Sequence, residues 1–148
     1  MGFVCAQILQ QVCPSRSEMA SDELVSALER AADFLDECDR QFYRPSSEWE
    51  GWASWAKLLR DWRNRLLAAG REGDCIGLRR ILLEIHGNAL SSNMGSLSDS
   101  MIIDENRRLT VKELNEPLTP KVEAANIRKD ELLEEIRRLV VPRLAGML

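Results

Sequence analysis

The run Trp49-Glu50-Gly51-Trp52-Ala53-Ser54-Trp55-Ala56-Lys57-Leu58-Leu59-Arg60-Asp61-Trp62 is written in a helical period. Trp49, Trp52, Trp55 or Ala56, Leu59, Trp62 and Leu66 step by threes and fours, the spacing of one face of an α-helix. The spacing predicts a second helix from about Glu48 to Ala69. Pro45 disfavours a helical Arg44 just before it, Ser46 or Ser47 can cap its start, and Gly70 suits its C′ position. Four Trp on one helix predict a heavily buried face. Trp49, near the helix start, is the one placed to reach an interface. Lys57, Arg60, Arg63 and Arg65 make the other faces basic, and they read as pairing with the preceding helix or facing solvent rather than as binding phosphate.

Outward from this helix the same period recurs. Upstream, Leu24, Leu28, Ala31, Leu35, Cys38 and Phe42 predict a first helix over about Asp22 to Phe42, with Ser21 as N-cap and Asp22 and Glu23 at the positive end of its dipole. Its outer surface carries Asp22, Glu29, Asp33 and Asp36 in one strip, joined by Glu37 and Asp39. Downstream, Asp74 can cap a third helix from about Cys75 to His86, with Leu78, Ile81, Leu82 and Ile85 inward and Gly87 ending it. Thr119-Pro120 opens a fourth, Thr as N-cap and Pro at N1. It runs to about Val140, with Val122, Ala125, Leu132, Leu133, Ile136, Leu139 and Val140 inward and Pro142 stopping it or fraying its end. The fold expected is mainly α: a small four-helix bundle-like domain over residues 21–148, behind a flexible leader of residues 1–20 in which Met19 is an alternative start.

Between helices three and four lies a long Gly/Ser/Asn segment, Gly87 to Ile103. Such a segment costs conformational entropy, and in a small helical domain it is either functional or disordered. Its apolar anchors Leu90, Met94, Leu97, Met101, Ile102 and Ile103 argue for a structured loop. Beyond it, two short apolar runs flanking Asp104 to Arg108 admit a β-hairpin over Met101 to Val111, with a helical turn near Val111 to Asn115 as the rival reading.

Composition narrows function. The chain has 148 residues, 45% hydrophobic and 30% charged, with a net charge of −4, which fits one soluble domain and speaks against general nucleic-acid binding. No apolar run is long enough to span a bilayer, so no membrane role is expected. Cys5, Cys13, Cys38 and Cys75 form no C-x-x-C pair and have no histidines at metal spacing. They read as reduced thiols of a cytoplasmic protein, with Cys38 on an apolar stripe. Gly2 and Cys5 are a poor acylation signal, because Ala6 stands where Ser or Thr is needed.

No catalytic constellation is legible. His86 is the sole histidine, and at a helix C-terminus it suits the dipole. Ser96, Ser98 and Asp99 read as caps for local backbone N–H groups, with Gly95 supplying an unusual backbone angle. The phosphate-loop lysine and the dinucleotide glycine spacing are both missing. The expectation is a protein that is not an enzyme and carries no cofactor or metal.

The order Trp52-x-x-Trp55, Gly73-Asp74-x-x-Gly77-Leu78, Leu82, Gly87 and Met94-Gly95-Ser96-Leu97-Ser98-Asp99 resembles an uncharacterised bacterial family. Its members look like small helical proteins with a Trp-rich second helix and a Gly-Gly-Met-Gly-Ser-Phe/Leu-Asn-Asp loop. The likeness covers about Leu24 to Ile103. This chain departs from it by the insertion Asn88 to Asn93 and by Ser98 in place of Asn. The family assigns no activity, and its members look like the proteins that accompany toxins as immunity partners. The resemblance therefore implies an immunity-type protein that neutralises a cognate toxin or effector by direct contact. A secretion adaptor or chaperone, or a mobile-element inhibitor of a host enzyme, is the alternative. In the immunity reading Asp33, Asp36 and Glu37 steer a basic partner, against the plainer reading of a solvated face. Met94, Gly95, Ser96, Leu97, Ser98 and Asp99, with Met101 nearby, supply a deformable apolar contact. The oligomeric state is open.

Overall fold

The structure is a computed structural model and describes residues 22–43, 51–104 and 119–146. Its elements are α1 (Asp22–Phe42), α2 (Trp52–Glu72), α3 (Cys75–Ile85) with a π-helical turn (His86–Leu90) running on from it, and α4 (Pro120–Gly146). The chain is mainly helical, and no strand occurs among the described residues. The expected leader, the Ser21, Ser46 and Ser47 caps, Trp49 and the hairpin stretch beyond Asp104 lie outside the described residues. Met101 to Asp104 take no strand pairing, so the β-hairpin finds no support.

α1 packs along α2 and α4, and α2 packs on α3. The stripe Leu24, Leu28, Ala31, Leu35, Cys38 and Phe42 is buried throughout, as its spacing requires. Trp52, Leu59, Trp62 and Leu66 of α2 face it. Each such side chain contributes about 1.5–3 kcal/mol on burial, which is what holds the helices in register. Burial lifts the Cys38 thiol to about 11, with the nearby Glu37 charge adding to the shift.

Helix ends differ from the sequence reading in four places. α2 begins at Trp52 rather than Glu48, because Gly51 is non-helical with φ 88°. Its first turn is capped from another helix: Asp39 Oδ1 of α1 accepts the Ala53 N–H at 3.1 Å. α2 also continues past Gly70, which is buried inside the helix. Gly73 is the left-handed C-cap, its N–H donating to the Ala69 and Gly70 carbonyls. Asp74 caps α3 as expected, accepting the Gly77 N–H at 2.9 Å. Gly87 does not end the third helix, which widens into a π turn there and carries Ala89 and Leu90 into the core. Pro142 sits inside α4, which runs on to Gly146. So close to the helix end, proline removes one backbone bond and little else, and Arg143 donates to the Leu139 carbonyl across that last turn.

Candidate protein-binding surface

The Gly/Ser segment is a structured loop, held by side chains from α4. Asn126 grips one residue at both ends: its Oδ1 accepts the Ile102 N–H at 2.8 Å, and its Nδ2 donates to the Ile102 carbonyl at 2.9 Å. Lys129 donates its ammonium to the Leu97 carbonyl at 3.1 Å and to the Ser100 carbonyl. Arg137 donates to the Leu90 carbonyl at 2.6 Å, at the exit of the π turn. A cation there also suits the negative end of the helix dipole. Lys129 is buried and its pKa is lowered, because desolvation outweighs the favourable charges of Asp130 and Asp99.

The loop also closes on itself. Ser96 Oγ donates to the Ser91 carbonyl at 2.6 Å and accepts the Asp99 N–H at 3.2 Å. Ser100 Oγ donates to the Ser96 carbonyl at 2.8 Å. Leu97 and Ser98 N–H donate to the Asn88 and Ala89 carbonyls at 3.0 and 2.8 Å, so the π turn serves as the loop's backbone template. Gly95 has φ 88°, a left-handed angle that ordinary side chains resist. The turn therefore needs glycine there.

This arrangement sorts the loop residues expected to touch a partner. Ser96 and Leu97 are buried; Ser96 is a cap and Leu97 a core residue. Met94, Gly95 and Asp99 face outward, and Ser98 is half-buried. Met94 is 95% exposed and Met101 63%. Beside the loop, Ser98, Ile127, Asp130 and Arg137 line an open groove against α4.

The acidic strip of α1 is largely spent within the molecule. Arg60 of α2 bonds Asp33 at 2.8 Å and Asp36 at 2.6 Å, and Arg63 reaches Glu29 at 3.2 Å. Arg30 pairs with Glu135 of α4. Hydrogen bonds from Arg40 and then Gln41 hold the Glu37 carboxyl below its usual range. Arg65 turns the other way, to Glu84 of α3 at 2.7 and 3.2 Å, where Glu84 also accepts the buried Trp62 Nε1–H at 3.2 Å. Those bonds, Arg65 foremost, lower the Glu84 pKa. Asp33 remains 76% exposed at its side chain despite its pair. The α1 carboxylates and the Met94 loop are therefore separate features, one a paired helix seam and the other a clamped loop.

Asn126, Lys129 and Arg137 were not singled out by sequence. One signal was available: Lys129 fills a gap in the buried stripe between Ala125 and Leu132, where a cation demands acceptors. Comparison of the chain with protein-family models, curated proteins and solved structures finds no match. Among the described residues, no helix is long and apolar enough to cross a membrane.

Proposed function

We propose that this chain is an immunity-type protein that binds a cognate bacterial toxin or effector and neutralises it by direct contact, without chemistry of its own. One observation carries the reading: Met94, almost wholly exposed, stands on a loop whose backbone is clamped by Asn126, Lys129 and Arg137. A single exposed apolar side chain is ordinary on a soluble protein. A loop ordered in advance around such a side chain loses less conformational freedom on binding, and that raises affinity. The groove beside Ser98 and Ile127 extends the surface, and Met94-Gly95-Ser96-Leu97 resembles the loop of an uncharacterised family whose members look like immunity partners.

The test is co-expression with the neighbouring open reading frame, scored by growth rescue and co-purification. The expected result is a neighbour that is toxic alone, tolerated with this chain and recovered with it one-to-one. Met94→Asp is expected to abolish rescue while leaving the folded protein intact by circular dichroism. A neighbour that binds but keeps its full activity would instead mark an adaptor. Full rescue by Met94→Asp would remove the loop from the binding surface.

A further inference from the structure

α3 presents a second face with its own chemistry. At 3.6 residues per turn, Ile76, Arg79, Arg80 and Leu83 fall within about 100° of one another around the helix. Leu78, Ile81, Leu82 and Ile85 point the opposite way and are buried. The outer four therefore have no part in the core. Ile76 is 72% exposed and Leu83 49%, an arrangement that helix propensity alone does not favour for a β-branched residue. Arg79 and Arg80 are exposed between them.

The two arginines stand apart from most others of the molecule. Arg30, Arg40, Arg60, Arg63, Arg65, Arg128, Arg137 and Arg138 all lie in ion pairs. Arg79 and Arg80 have no such pair among the described residues, although the chain as a whole carries a net charge of −4. Arg80 feels the Glu84 carboxylate one turn on, but Glu84 is itself engaged by Arg65, so positive charge remains on this face, set between two exposed aliphatic side chains at i and i+7 where a partner helix can meet it. The complementary surface is acidic and apolar at the same spacing.

We propose that the outer face of α3, formed by Ile76, Arg79, Arg80 and Leu83, docks an acidic amphipathic helix of a protein partner. The face is independent of the Met94 loop and does not rest on the immunity reading. An anionic membrane is the rival occupant of a basic apolar face. A membrane-surface helix carries a wide and strongly apolar face, whereas this one exposes two aliphatic side chains, Ile76 and Leu83, so the vesicle arm of the experiment is expected to show no sedimentation.

The experiment uses the isotopically labelled full chain and two synthetic helical peptides. Both carry Leu at i, i+3/i+4 and i+7; one is flanked by Glu and the other by Lys. The acidic peptide is expected to give saturable amide shifts centred on residues 76–83, with affinity falling as salt rises. Arg79→Glu with Arg80→Glu is expected to weaken it at least tenfold, and Ile76→Ser with Leu83→Ser to weaken it without changing the salt slope. Equal binding of the Lys peptide, shifts centred elsewhere, or no shift at millimolar peptide would overturn the proposal. So would sedimentation of the chain with phosphatidylglycerol vesicles in place of peptide binding.

Discussion

Replacing Asn126 with Leu keeps the side chain's approximate shape and removes its polar grip on Ile102. Ile102 is fully buried, and both its N–H and its C=O bond Asn126, at 2.8 and 2.9 Å. The third Asn126 bond, to the Val122 carbonyl at 3.0 Å, duplicates a helical acceptor and adds little. An orphaned buried group costs about 1–3 kcal/mol. Two such groups, with partial access of water to a contact that is only half-buried, come to about 2–4 kcal/mol. For a domain of this length that lowers the melting temperature by about 8–16 °C, at about 4 °C per kcal/mol. Asn126→Asp is expected to be no milder, since its carboxylate accepts from Ile102 but faces the Ile102 carbonyl with a second acceptor. Urea unfolding followed by the fluorescence of buried Trp52 and Trp62 gives the stability change, and amide exchange at Ile102 reports the local one. A loss below about 0.5 kcal/mol, the range of an ordinary surface substitution, with Ile102 protection unchanged, would refute the clamp.

Gly77→Ala should destabilise, although glycine to alanine inside a helix ordinarily gains about 1 kcal/mol. The new Cβ would lie 2.3 Å from Asp74 Oδ2 and displace the cap, worth about 0.5–2 kcal/mol. In an Asp74→Ala background the same substitution should turn stabilising, and denaturant midpoints of the four proteins check the reversal. Cys38 ionises in the unfolded chain near its ordinary value of 9.0 but in the folded chain only at about 11. Its contribution is therefore complete below pH 9 and is lost as pH rises through that window, by about 2–3 kcal/mol at 1.36 kcal/mol per unit. Cys38→Ala should flatten this alkaline loss in a pH series of urea midpoints. Lys129 runs the other way: its folded pKa is lowered, so its contribution grows as pH rises toward the ordinary lysine value of about 10.4. Lys129→Met in the Cys38→Ala background should remove that rise, and an unchanged profile would mean that Lys129 is not desolvated.

The helical elements were legible because their apolar stripes run nearly their full length, broken in α4 only by Lys129. α1 matches its expected span because nothing between Leu24 and Phe42 competes with the period. Helix ends were less legible, because their determinants are remote or ambiguous. The cap of α2 comes from Asp39, 14 residues upstream, and no local rule looks there. Gly70 has the composition of a helix stop but sits buried within α2, which runs on to Glu72. Gly87 suffered the same ambiguity, resolved by π winding that also presents Asn88 and Ala89 carbonyls to the loop. The loop's capping by Ser96 was readable from residue type alone. Its clamping by α4 was not, since Asn126 and Arg137 look like ordinary polar positions until the loop is laid against them. The pairing of Arg60 with Asp33 and Asp36 was one of two outlets foreseen for the basic faces of α2, and the structure takes it.

The clamp has a consequence for how such a surface can vary. Asn126, Lys129 and Arg137 hold the loop chiefly through its carbonyls, at Leu90, Leu97, Ser100 and Ile102. Backbone groups are present whatever side chain the residue carries, so these bonds tolerate substitution in the loop. The apolar anchors Leu97 and Ile102 are buried and fixed by packing. Ser92, Asn93 and Met94 are exposed and enter none of the clamp bonds through their side chains. Substitution there changes what a partner meets without loosening how the loop is held. In the immunity reading that separation matters, because a binder that must follow a changing partner needs variable contacts on an invariant mount. Exchange of residues 92–94 should therefore shift partner choice at nearly constant stability, whereas exchange of Asn126 or Lys129 should cost stability whatever the partner.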